Sequence, residues 1–147
     1  GSIKMKLYKI GSWFYKNKIP LLPKLFNALI RIFHNSAVFS ECEIGSNTIF
    51  AYGGIGVVIH KRSIIGKNCV IGSNVTIGGK SKSKNVPIIG DNCFIATGAK
   101  ILGEVKVGNN CVVGANSVVV INVPDNSVVA GIPGRIIKSN VNPKDYY

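Results

Sequence analysis

Only two side chains in these 147 residues, His34 and His60, titrate near neutrality without a large perturbation, so proton transfer at physiological pH points to them first. His34 ends a stretch of aliphatic and basic residues, at the expected C-terminus of a helix, where pairing with the helix dipole accounts for it. His60 lies in Val-Val-Ile-His-Lys-Arg-Ser-Ile-Ile-Gly, residues 57–66, which reads as two copies of one unit. Glycine follows the second aliphatic pair and histidine the first. A base that takes the proton of a hydroxyl as it attacks a carbonyl is the chemistry this imidazole suits, and His60 is the candidate catalytic residue. Cys42, Cys69, Cys93 and Cys111 have no CxxC spacing, so no metal site is expected. A zinc site of three histidines is not expected either, since the chain has two.

The elements that must position His60 follow a six-residue period. Ile59, Ile65, Ile71, Ile77, Ile89, Ile95, Ile101, Val107, Val113 and Val119 mark it, with Ser83 the one break. Gly66, Gly72, Gly78, Gly90, Gly108 and Gly114 follow directly, Ala96 is a near equivalent, and His60 takes the same slot. Two residues before each aliphatic stand small or medium residues, among them Ser63, Cys69, Val75, Cys93, Ala99, Cys111 and Ser117. Residues i and i−2 of a strand share a face, so large and small side chains alternate on one buried surface. The cysteines in that slot read as reduced, buried, small hydrophobes. Units this short cannot bury a face alone, but three of them can close one triangular coil, and such coils can stack as a solenoid. The fold class is thus an all-β solenoid with a short N-terminal helical segment.

Two irregularities interrupt it. Val38, Ile44 and Phe50 keep one register and Ile59 onward another, offset by three, so Ala51-Tyr-Gly-Gly-Ile-Gly56 must bulge. Lys80-Ser-Lys-Ser-Lys-Asn85 is too polar for the core although the register survives it, and reads as a basic loop extruded from the prism.

Ile65-Gly-Lys-Asn-Cys-Val-Ile-Gly-Ser-Asn-Val-Thr-Ile-Gly-Gly79 resembles the hexapeptide-repeat acyltransferases. The resemblance implies a left-handed parallel β-helix; the period itself does not give that handedness. Thr76-Ile-Gly-Gly79 before a loop, Gly98-Ala-Lys-Ile-Leu-Gly103, Gly114-Ala-Asn-Ser-Val-Val119 and Ala130-Gly-Ile-Pro-Gly-Arg-Ile-Ile137 narrow it to the branch of serine acetyltransferases and related sugar O-acetyltransferases, over roughly residues 40–138. It implies transfer from acetyl-CoA to a hydroxyl, in homotrimers whose sites lie between subunits. Candidate coenzyme contacts are Gly78, Gly79, Ala96, Gly98, Ala99, Ala115, Arg135 and Lys138, with the oxyanion donor a backbone N–H near Gly78 or Gly79. Tyr52 and Asn74 are candidate acceptor-site residues. Serine acetyltransferases place a catalytic Asp-His pair where an ungapped alignment puts Tyr52 and Gly53, and a second histidine where this sequence has Ser73. The base is then expected at His60, and the acceptor is expected to be a sugar of surface polysaccharide. Serine is the alternative. A sugar-nucleotide N-acetyltransferase and a non-catalytic β-helical protein are weaker readings; the latter leaves His60 and the basic loop unexplained.

Residues 3–34 hold seven Lys or Arg and no acid. Helices are expected over about 4–16 and 21–34, with Pro23 near the start of the second, where proline is tolerated. The domain reading is a helical cap over 3–35, a β-helix over 36–138 and a tail over 139–147. The cap is expected to pack on the solenoid or a neighbouring subunit, and peripheral membrane contact is the second use of such a basic amphipathic segment. The net charge of +12 favours anionic partners. Scattered basic residues without a recognition motif speak against nucleic acid. With no spanning apolar run and no signal peptide, a cytoplasmic location is expected, with the inner membrane surface as a second site.

Overall fold

A computed structural model describes residues 3–147. Strands of two or three residues, placed on the periodic aliphatics, stack into three walls of a prism. The first wall holds β1 (Ala37–Val38), β4 (Val58–Ile59), β7 (Thr76–Gly78), β10 (Lys100–Leu102) and β13 (Val118–Val119). The second holds β2 (Glu43–Ile44), β5 (Ile64–Ile65), β8 (Ile88–Ile89) and β11 (Lys106–Val107). The third holds β3 (Ile49–Phe50), β6 (Val70–Ile71), β9 (Phe94–Ile95), β12 (Val112–Val113) and β14 (Val128–Ala130) in parallel. There β15 (Arg135–Lys138) adds antiparallel to β14. The aliphatics point to the axis: Ile59, Ile77, Ile101 and Val119 of the first wall are all 0% exposed.

The regular coil is three repeats long, as expected: Ile77 stacks over Ile59 and Val107 over Ile89. Ile59 also stacks over Val38, and there the bulge lengthens the coil by half a repeat. Between Ile77 and Ile101, which stack in the same way, the extruded loop lengthens it by one whole repeat. A complete repeat is the one insertion that leaves the phase unchanged, which is why the register survives the loop.

The three corners are not equivalent. Between the second and third walls, Gly45, Gly66, Gly90 and Gly108 stack so closely that a Cβ on Gly90 would lie 2.7 Å from the Gly108 carbonyl oxygen, and one on Gly108 2.7 Å from the Asp125 nitrogen. The same corner turns on left-handed Asn68, Asn92 and Asn110, a conformation asparagine tolerates. Between the first and second walls there is no such pinch: a Cβ on Gly78 would meet ordinary contacts at 3.6 and 3.7 Å. The residues stacked there are Phe39, His60, Gly78, Leu102 and Val120. His60 is therefore no exception in its own column, although it is one along the sequence.

Four buried thiols line the interior. Cys93 N–H meets Cys69 Sγ at 3.5 Å, and the thiols of Cys69, Cys93 and Cys111 donate across to the Gly90, Gly108 and Pro124 carbonyls at 3.2, 3.1 and 3.1 Å. Burial pushes the Cys42 thiol up to about 12.

The helices form as expected, α1 at Ile3–Lys16 and α2 at Leu22–His34, with Pro23 in the first turn of α2. They close the open edge of the first coil, whose backbone groups would otherwise lack partners. Tyr8 Oη donates to the Cys42 carbonyl at 2.6 Å and accepts from Ile44 N–H at 3.1 Å. Asn27 Oδ1 accepts from Ser40 N–H at 2.7 Å. Lys4, 0% exposed, donates to the Gly54 carbonyl at 3.1 Å and lies 4.3 Å from the Phe50 ring centroid. The tail is not free: Val141 N–H donates to the Asn126 carbonyl at 3.0 Å, and the Tyr147 ring sits 5.1 Å from Phe94.

Packing and burial each make a measurable difference. Gly90→Ala forces coils apart and should cost about 1–3 kcal/mol, whereas Gly78→Ala should stay within about 0.5 kcal/mol of wild type in urea unfolding. Equal losses would refute the inequality of corners. Burial also lowers Lys4 from 10.5 to about 8. Between those values the unfolded chain binds the extra proton, so this site makes stability rise with pH. Comparing Tm across that range, the rise should be smaller in Lys4→Met than in wild type.

Candidate functional site

The corner between the first and second walls gathers the chemistry. His60 N–H donates to the Ile77 carbonyl at 2.7 Å, fixing the residue at the end of β4 over Gly78. Its ring faces the next coil: a Cβ built on Gly79 would lie 4.0 Å from His60 Cδ2. Gly79 is exposed, and its N–H has no partner among the described residues. The extruded loop leaves the wall at this point, its turn held by Ser83 N–H on the Lys80 carbonyl at 3.0 Å. Lys61, Arg62, Lys80, Lys82 and Lys84 are all exposed around it. A neighbouring groove of about 650 Å³ is lined by Arg62, Asn85, Val86, Glu104, Lys106 and Asn122 among others.

The His60 ring is held in one tautomer. Arg62 N–H donates to Nδ1 at 3.1 Å, so Nδ1 carries the lone pair and the neutral ring has its proton on Nε2. Partial burial, then the Arg62 and Lys61 charges, lower its pKa below the usual histidine value. No carboxylate hydrogen-bonds to the ring among the described residues. The general-base role expected of His60 thus needs qualifying. A base acting through Nε2 requires Nδ1–H held by an acceptor, and here Nδ1 is the acceptor. As placed, His60 offers a neutral N–H donor beside the free Gly79 N–H, a pairing suited to an oxyanion.

The other candidates do not all converge. Tyr52 sits on the bulge at the corner between the third and first walls, 85% exposed and left-handed at φ 51°. One wall's width, on the order of 10 Å, separates that corner from His60 within a chain. Asn74 shares Tyr52's corner, but its φ of 56° and its N–H bond to the Ile55 carbonyl at 2.9 Å give it a turn-forming role, stacked below Gly98 and Asn116. Ala96, Gly98 and Ala115 line this second corner, and Arg135 and Lys138 stand exposed on β15. Ala99 is the exception among the coenzyme candidates. It is 0% exposed, its N–H bonds the Ala96 carbonyl at 3.2 Å, and its carbonyl accepts from Thr76 N–H at 3.0 Å, so its side chain is core. The sequence reading missed buried Lys4, which ties α1 to the bulge beneath Tyr52; a lone lysine on an amphipathic helix carries no signal of this.

Comparison with known proteins agrees with this geometry. Residues 87–120 match the family described as bacterial transferase hexapeptide (six repeats), and residues 62–79 the hexapeptide repeat of succinyl-transferase. The serine acetyltransferase of Synechococcus elongatus is 35% identical over 144 residues, 95% of this chain and 59% of that protein. That of Bacillus subtilis is 41% identical over 135 residues, 90% of this chain and 62% of that protein. The Brucella abortus serine acetyltransferase in complex with coenzyme A superposes with a TM-score of 0.87 at 29% identity, covering 92% of this chain and 54% of that one. The soybean enzyme complexed with serine gives 0.86 at 30%, covering 91% and 56%. Over nine tenths of its length the chain is similar to the hexapeptide-repeat acyltransferases of the serine acetyltransferase-like branch. Its solenoid is the left-handed parallel β-helix of that family. The chain spans about six tenths of the curated relatives' length.

The tautomer is directly measurable. A long-range proton–nitrogen NMR correlation of the folded chain should show His60 protonated on Nε2 at pH 7 and titrating below 6.5. A ring protonated on Nδ1 would return it to the base role.

Proposed function

We propose that this chain is an acetyl-CoA-dependent O-acetyltransferase. The observation that carries the proposal is its superposition, over nine tenths of its length, on serine acetyltransferases that include coenzyme A and serine complexes. A hydroxyl oxygen attacks the thioester carbonyl, a C–O bond forms, the C–S bond breaks, the hydroxyl proton departs and coenzyme A leaves as its thiol. Negative charge grows on the carbonyl oxygen in between. Gly79 N–H and His60 Nε2–H are the donors for it, and the basic loop and Arg135 and Lys138 meet the coenzyme's phosphates. His60 takes the proton itself only if its ring releases Arg62 N–H. Tyr52 and the small residues of the other corner reach the same site only across a subunit boundary, so the proposal includes a homotrimer.

Serine is the first acceptor to test, since the relatives compared above are named serine acetyltransferase. A sugar hydroxyl is the second reading. It is favoured by one feature: Tyr52 and Gly53, a position at which a Cβ would find open space, stand where the family resemblance expects an acid and a histidine.

The test is coenzyme A release from acetyl-CoA with L-serine and with a panel of sugars. His60→Ala should lower kcat/KM by about 10²–10³-fold, and His60→Gln, which keeps an N–H donor, should recover about tenfold of it. Equal loss in both variants would make His60 the base. Wild-type rates in both would remove it from the chemistry, and the absence of turnover with every acceptor would defeat the proposal.

A further inference from the structure

The α1–α2 hairpin turns an unusual surface outwards. On α1, Tyr8, Gly11 and Ser12 face the body of the protein, while Ile3, Ile10 and Trp13 are 68, 44 and 58% exposed. Lys6, Lys9 and Lys16 are exposed on the same outward side. On α2, Pro23 and Ile30 are buried, while Leu25 and Ile32 are 51 and 75% exposed, with Lys24 and Arg31 among them; Leu21, just before the helix, is 75% exposed. Large aliphatic and aromatic side chains thus alternate with cations on both helices. None of the chain's acids lies before Glu41.

We propose that this face docks on an anionic lipid bilayer. The charge selects the partner. A second copy presenting the same face would bring exposed cations against cations with no acid on either helix to offset them, and like charges disfavour that pairing. Nucleic acid would meet the cations but leave Trp13, Ile10 and Ile32 in water. A lipid surface satisfies both: apolar side chains enter the boundary of headgroups and acyl chains while long basic side chains reach the anionic headgroups. No described helix is long and apolar enough to cross a membrane, so the attachment is peripheral. The surface is independent of the corner at His60, and its test does not depend on turnover.

Trp13 is the chain's one tryptophan, so its emission reports on this face alone. The full chain would be mixed with phosphatidylcholine vesicles and with phosphatidylcholine–phosphatidylglycerol vesicles. Expected are a blue shift of Trp13 and co-sedimentation with the mixed vesicles only, weakening with salt. Replacing Lys6, Lys9 and Lys16 by Gln should weaken binding about 100-fold, at roughly fivefold for each cation near the surface. Ile10→Ser with Ile32→Ser, both at exposed positions, should abolish the blue shift and leave the unfolding midpoint unchanged. Replacing Lys80, Lys82 and Lys84 by Gln should leave vesicle binding as in wild type. The proposal is overturned if Trp13 emission does not change on mixed vesicles, if the loop variant rather than the helix variant loses binding, or if Ile10→Ser with Ile32→Ser dissolves an oligomer of the free chain. Binding of duplex DNA with the same Trp13 shift would overturn it too.

Discussion

Each coil of this protein lies one backbone hydrogen bond above the next, a spacing of about 4.8 Å, and nearly every local choice in the sequence answers to that spacing. Parallel strands of two or three residues bury little individually. Their in-register stacking makes one continuous column of Ile and Val along the axis. Where coils pinch, at Gly66, Gly90 and Gly108, side chains are excluded, and where they turn, asparagine takes the left-handed conformation. The thiols of Cys69, Cys93 and Cys111 belong to the same arrangement, being small enough for the inner slot and able to bond a carbonyl of the neighbouring coil.

A stack of this kind has two open ends, and the chain closes them differently. At the start, side chains of the helical hairpin take the place of a missing coil: Tyr8 and Asn27 hydrogen-bond backbone of the first coil, while Lys4 bonds the bulge at Gly54. At the far end β15 reverses direction and pairs antiparallel with β14. The hairpin buries one face in doing so and leaves the other, apolar and basic, to solvent. Capping the solenoid and exposing that face are two results of one packing arrangement.

The fold was legible because a solenoid is nearly one-dimensional: a residue's neighbours follow from its place in the period, so Ile77 over Ile59 could be read by counting. The bulge and the extruded loop were legible for the same reason, as a phase slip and as a polar interval that keeps phase. The site was only partly so. His60 stood out because it follows Ile59 where most repeats have glycine, yet Leu102 and Val120 occupy the same column and carried the missing clue. Taking that slot every third repeat, rather than every repeat, separates the open corner from the pinched ones. Whether the His60 ring gives or takes a proton depends on Arg62 N–H, a turn contact no spacing rule reveals. Ala99 shows the converse error, a residue assigned by likeness to a ligand surface whose side chain the register had already sent inward.

The open corner also has a consequence for how such a molecule can change. At the corner between the second and third walls the prism resists insertion, since an extra residue displaces a left-handed asparagine or a glycine wedged against its neighbour. Between Gly79 and Pro87 the chain leaves and re-enters with the stacking of Ile77, Ile89 and Ile101 intact. The corner is therefore a socket: segments of different length and charge can be grafted there without altering any coil above or below, which separates what the protein recognises from what holds it together.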